Sequence, residues 1–154
     1  MTNAANNSLE MGVRVYGAIF RAAGEELIKE CKTLRGCKTG EAVITKAYNL
    51  PNKYIIHTVG PKYLTGKNGE EERLASAYYK SLKLAKRKGI RKVTFPSIST
   101  GIYRFPVEKG AEIALTTAMK FLDENPDSFD LILWVLDNKT YIVYKEKYEK
   151  LIEK

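Results

Sequence analysis

Apolar positions along the chain alternate between short strand-like runs and longer helical stripes. The stretch Gly17 to Leu34 reads as helical with a break near Gly24, opening on the small, apolar run Gly-Ala-Ile-Phe-Arg-Ala-Ala. Glu41 to Ala47 and Lys53 to Val59 read as strands, separated by the turn-forming Asn49-Leu50-Pro51-Asn52. A polar loop with Gly66 and Gly69 leads to a helix over Glu71 to Lys88, whose inner stripe is Leu74, Tyr78, Leu82 and Ala85 and whose stop is Gly89. Lys92 to Pro96 is a short strand. Val107 to Leu122 is a helix with Ala111, Ala114, Leu115, Ala118, Phe121 and Leu122 facing inward. Asp130 to Leu136 is almost continuously apolar, as expected of a strand buried on both faces. Thr140 to Ile152 closes the chain as an amphipathic helix. Strands alternating with helices predict an α/β fold of three layers, α/β/α, around a mostly parallel mixed sheet.

Ligands of such sheets bind beyond the carboxyl ends of the strands, so the strand-leaving loops are where chemistry is expected. The loop Pro96-Ser97-Ile98-Ser99-Thr100-Gly101-Ile102-Tyr103 joins a strand to a helix. Small and hydroxyl residues there let backbone N–H groups converge beside a helix N-terminus, an arrangement that suits a phosphate. It is neither a Walker loop nor a dinucleotide fingerprint, and an ordinary hydroxyl-capped turn accounts for it equally well. A second loop runs from Asn3-Ala4-Ala5-Asn6 past Gly12 to Gly17. Its asparagines can serve sugar hydroxyls or close their own Asx turns.

Bulk properties narrow the class. At 154 residues the chain fits one domain. Its longest apolar run, Leu131 to Leu136, is strand-sized, so no membrane partner is expected. The first residues lack the pattern of a signal peptide, and Cys31 and Cys37 suit neither a disulfide scaffold nor a metal site. A reduced, cytoplasmic protein without metal is the expectation. The net charge of +8 attracts anions in general. It is also an ordinary charge for solubility. Trp134 and the tyrosines sit at core positions, which disfavours nucleic acid as a partner. His57, the only histidine, lies on an apolar strand and reads as structural.

Taken together, six segments resemble the macro domain, an ADP-ribose-binding module, and within it bacterial O-acetyl-ADP-ribose deacetylases. They are Asn3-Ala4-Ala5-Asn6; Gly17-Ala18-Ile19 with Arg21-Ala22-Ala23-Gly24; Thr39-Gly40-Glu41-Ala42; Leu50-Pro51; Ile56-His57-Thr58-Val59-Gly60-Pro61; and Phe95 to Tyr103. The resemblance implies that Ser97, Ser99, Thr100, Gly101, Ile102 and Tyr103 form a diphosphate loop. It implies that Gly12, Val13, Arg14 and Val15 close over the ligand from the other side, and that Leu136 packs on the adenine. Asn6 matches the asparagine that holds the distal ribose and is the side chain implied in catalysis, and Asn3 is implied as a ligand-binding residue. No cofactor is implied. The partners implied are ADP-ribose, a derivative of it, or an ADP-ribosylated protein.

Four departures qualify that picture. Hydrolytic members read Val-Asp-Gly-Ala-Ile where this chain has Val15-Tyr16-Gly17-Ala18-Ile19, and a phenol is a poor base at neutral pH. Val13 and Arg14 stand in what the family makes a run of glycines. Arg104 replaces a glycine after the loop's tyrosine. Finally, only Met1 and Thr2 precede the Asn-Ala-Ala-Asn segment, where the family has a strand, a short helix and another strand. The expectation is therefore an N-terminally shortened sheet with unpaired neighbours. A longer parent chain, or a strand exchanged within a homo-oligomer, would fill it. Three functions remain open: a hydrolase of ADP-ribosyl esters, a non-catalytic ADP-ribose reader, and a basic nucleic-acid-binding domain with a degenerate site.

Overall fold

The computed structural model describes the backbone of residues 1–10 and 14–153, and the side chains of residues 1–10 and 17–153. In chain order the elements are β1 (Thr2–Ala4), α1 (Arg14–Ala23), α2 (Glu25–Thr33), β2 (Ala42–Lys46), β3 (Tyr54–Thr58), α3 (Glu70–Arg87), β4 (Lys92–Phe95), α4 (Val107–Glu124), β5 (Leu131–Trp134) and α5 (Asn138–Ile152). Among the described residues, no helix is long and apolar enough to cross a membrane.

The strands form two ladders. One has the order β1-β3-β2, with β1 parallel and β2 antiparallel to β3; the other is the parallel pair β4-β5. Neighbouring residues of β3 show the layering directly. Ile56 joins a core with Leu74, Tyr78, Leu82, Phe95, Ala114 and Phe121, while Ile55 joins a second core with Phe20, Ala23, Leu27 and Cys31. Side chains alternate across a strand, so the sheet is covered by α3, α4 and α5 on one face and by α1 and α2 on the other. Burying either isoleucine contributes roughly 1.5–3 kcal/mol.

The expected break near Gly24 is real. Gly24 has φ 96°, and a Cβ there would come within 2.8 Å of Asn49 Nδ2, so α1 ends and α2 starts anew. Three expectations need correction. Asn3 is not a loop residue: Thr2–Ala4 pair with Ile56–Thr58 as a strand, and three residues are too few to show any period. That strand also satisfies the flank of β3 expected to be unpaired, with the Met1 carbonyl accepting the Ile56 N–H at 2.8 Å. On its other side β1 lies beside β4, with no ladder between them among the described residues. Nor is β5 buried on both faces. Leu131, Leu133 and Val135 are 47%, 48% and 66% exposed, because β5 is an edge strand whose second face no described helix covers.

Candidate functional site

Parallel pairing brings the carboxyl ends of β1 and β3 together, with Ala4 opposite Thr58, and the same holds for β4 and β5, with Phe95 opposite Trp134. The segments after β3 and β4 then meet. A Cβ at Gly60 would lie 2.1 Å from Ser99 Oγ and 2.4 Å from Ile98 Cγ2, so only glycine allows this approach.

The loop after β4 is held from beneath by two tyrosines. Tyr78 of α3 accepts the Ile98 N–H on its hydroxyl at 2.9 Å, and Tyr144 of α5 shares a 2.8 Å hydrogen bond with Ser97 Oγ. Burial pushes both phenols above their ordinary value, so they stay protonated and able to donate. Thr100 Oγ1 donates to Ser97 Oγ at 2.7 Å. The loop closes on itself through Arg104 N–H to Gly101 O and Phe105 N–H to Ser99 O, both 2.9 Å.

What the loop leaves unpaired matters more. Among the described residues nothing accepts the backbone N–H groups of residues 99–103, which are consecutive. Ser99 adopts φ 67°, a left-handed conformation uncommon for a side chain other than glycine or asparagine. Its hydroxyl is buried and has no partner among the described residues. A run of amides without acceptors around one left-handed residue, ahead of the N-terminus of the 18-residue helix α4, has the donor arrangement that suits an anion. Gly101 and Ile102 face solvent at its lip, and Tyr103 is half-buried with Lys62 Nζ 5.6 Å from its ring centre.

The segment after β1 presents its asparagines differently. Asn3 is 1% exposed, and its Nδ2 has no partner among the described residues. Asn6 closes a turn: its Oδ1 accepts from Glu10 N at 3.0 Å and Ser8 Oγ at 3.1 Å, while its Nδ2 donates to Glu10 O at 3.0 Å. That leaves one Nδ2 proton uncommitted among the described residues. Asn7, which the sequence did not single out, ties the turn down by donating from Nδ2 to Cys37 O at 2.9 Å and Thr39 Oγ1 at 3.2 Å. Leu136 follows β5 at the same end of the sheet and packs its inner side on the core. Arg14, Val15 and Tyr16 form the first turn of α1, whereas Gly12 and Val13 lie outside the described residues.

Other candidates take no part. His57 is fully buried, with Nε2 2.9 Å from Thr45 Oγ1, and burial lowers its pKa to about 4. Cys31 and Cys37 are buried thiols pushed up to about 11, mainly by desolvation, and so are not nucleophilic at neutral pH. Two surface hollows lie elsewhere: about 390 Å³ at the β2–β3 hairpin beside Tyr48 and Tyr54, and about 210 Å³ between α4 and β5 beside Phe129 and Trp134. Neither has the convergent donors of the loop after β4. The residues that sequence reasoning missed, Asn7 and the two tyrosine hydroxyls, carry one faint signal. Tyrosine rather than phenylalanine on an inner helical stripe is a hydroxyl that needs a partner.

Comparison with known proteins bears on the chain and its fold as a whole. The macro domain family model matches residues 2–114. The protein FN1951 of Fusobacterium nucleatum is 77% identical over 153 residues, spanning 99% of this chain and 87% of that one. Human ADP-ribose glycohydrolase MACROD2 is 50% identical over 149 residues, 96% of this chain but 35% of that protein. Among solved structures, a mutant Oceanobacillus iheyensis macrodomain with ADPR superposes with a TM-score of 0.93 at 45% identity, covering 99% of this chain and 86% of the other.

Proposed function

The chain belongs to the macro domain family, and on that premise we propose that the cleft at the carboxyl ends of its strands binds ADP-ribose and hydrolyses esters formed at the distal ribose. The observation that carries the binding is the run of unpaired N–H groups over residues 99–103. A diphosphate offers these donors charged acceptors, and hydrogen bonds to a charged group are worth about 1.5–3 kcal/mol each. Ser97, Ser99, Thr100, Gly101, Ile102 and Tyr103 act chiefly through their backbone. The resemblance assigns Gly12, Val13, Arg14 and Val15 to the opposite side of the ligand and Leu136 to the adenine.

Asn6 takes the ribose end, while Asn3, buried within β1, lies behind it. Asn6 offers its remaining Nδ2 proton to a ribose hydroxyl, and its turn with Glu10 holds the amide in one orientation. Hydrolysis then depends on geometry more than on a strong base. The diphosphate fixes the distal ribose, and a water aligned beside Asn6 attacks the ester carbonyl. The products are ADP-ribose and a carboxylic acid. Likeness to human MACROD2, named as an ADP-ribose glycohydrolase, supports an enzymatic reading.

The second reading is a reader that binds ADP-ribose without turnover, and one observation favours it. Tyr16 occupies the position that the resemblance gives to an aspartate. An assay of O-acetyl-ADP-ribose turnover, run on the native chain and on Tyr16→Asp, separates the two. Turnover by the native chain supports the hydrolase. An inactive native chain beside an active variant leaves only the reader.

A further inference from the structure

Glu70, the first residue of α3, has no part in the scheme above, yet it is 2% exposed. A buried carboxylate ordinarily needs a cation, and no ion pair to Glu70 exists among the described residues. Backbone amides take that place. Oε2 accepts N–H groups from Leu64 at 2.7 Å, Thr65 at 3.1 Å and Gly66 at 3.1 Å, and Oε1 accepts from Asn68 at 2.8 Å. Those bonds hold the carboxyl at about 2, far below its ordinary value.

The turn so gathered leads directly to the site loop. Gly66 lies under the Tyr63 hydroxyl so closely that a Cβ there would be 2.4 Å from that oxygen. The Tyr63 N–H donates to Tyr103 O at 2.8 Å, and its ring meets Phe105 edge-on with centroids 5.1 Å apart. Phe105 in turn donates its N–H to Ser99 O. Each contact in this series is between neighbours.

We propose that Glu70 is a positioning residue for the ligand loop: its carboxylate gathers the turn 64–68, the turn seats Tyr63, and Tyr63 fixes Tyr103 and Phe105. The consequence for affinity rests on the reading that this loop holds the diphosphate; the positioning itself does not. A Glu that merely starts a helix would stabilise the fold without reaching the loop.

Amide hydrogen exchange on the ligand-free protein separates these cases. In Glu70→Gln the amide nitrogen cannot accept, so the N–H groups of Tyr63 and Phe105 exchange about tenfold faster or more. Gly66→Ala, which pushes on Tyr63, gives the same rise, and the double variant adds little to either. Arg91→Ala, which cuts the 2.8 Å pair with Asp130 at the far end of the sheet, leaves both amides protected. Glu70→Asp, which keeps the charge on a shorter stem, falls between and serves if the glutamine variant does not fold. By calorimetry the Kd for ADP-ribose rises about tenfold in Glu70→Gln and is unchanged in Arg91→Ala. Unaltered exchange in Glu70→Gln, or an equal rise in Arg91→Ala, overturns the proposal. Faster exchange in a protein whose native form binds no ADP-ribose keeps the positioning role and rejects the ligand reading instead.

Discussion

Gly60→Ala tests whether the site loop is held where it is by close packing. The added methyl would sit 2.1 Å from Ser99 Oγ and 2.4 Å from Ile98 Cγ2, against ordinary contacts of 3.4 Å or more. The difference to Ile98 is 3.4 − 2.4, so the loop must retreat by about 1 Å, since Ile98 is 1% exposed and has no free space to rotate into. Overpacking of this kind costs about 1–3 kcal/mol. For a chain of this length each kcal/mol lowers Tm by about 2–4 °C, so a fall of about 2–12 °C is expected by thermal circular dichroism. The same movement carries the amides of residues 99–103 out of hydrogen-bond range of a seated diphosphate. Losing one charged bond reduces affinity roughly 10- to 100-fold, read by titration calorimetry with ADP-ribose. A variant with native Tm and native Kd would refute the reasoning, because the loop would then be free to move without consequence.

Gly101→Val makes the opposite case: a Cβ at Gly101 meets nothing within 4 Å and its φ is not left-handed, so Tm changes by no more than about 2 °C. ADP-ribose affinity nevertheless falls at least about tenfold, because the side chain enters the space given to the ligand; equal affinity would mean the loop is not the ligand's wall. Tyr78→Phe leaves the buried Ile98 N–H without its acceptor and costs about 1–3 kcal/mol by urea unfolding, with unchanged stability contradicting the role assigned to that hydroxyl. His57 titrates near 4 when folded and near 6.5 when unfolded, so the unfolded chain binds the extra proton between those values. Stability therefore falls as pH drops from about 6.5 to about 4, by up to about 3 kcal/mol, and His57→Gln removes that part of the slope in urea unfolding at pH 7 and 5. An identical slope in the variant would mean other groups carry it.

The order of helices and strands was legible because it follows from period and punctuation. The stripe of Leu74, Tyr78, Leu82 and Ala85 and the stop at Gly89 place α3 to within one residue at each end. The loop after β4 stood out for a different reason: Ser97, Ser99, Thr100 and Gly101 are small or hydroxyl residues directly after a strand. What escaped sequence reading depends on distant neighbours. β1 is three residues long and exists because β3 lies beside it. β5 is uniformly apolar, a pattern that cannot distinguish a central strand from an edge strand with an uncovered face. The hydroxyls of Tyr78 and Tyr144 occupy core stripes, so their reach to Ile98 and Ser97 becomes visible only once α3 and α5 are packed under the loop. Glu70 is one of three successive glutamates, and only folding singles it out as the buried one.

Binding at the amide concavity is the central claim, and calorimetric titration of the native chain with ADP-ribose, with AMP and ADP as competitors, tests it most directly. The account predicts one ligand per chain with a Kd below about 1 mM, and displacement more effective by ADP than by AMP because ADP supplies a diphosphate to the donors of residues 99–103. No heat at millimolar ADP-ribose, or AMP competing as well as ADP, would contradict it.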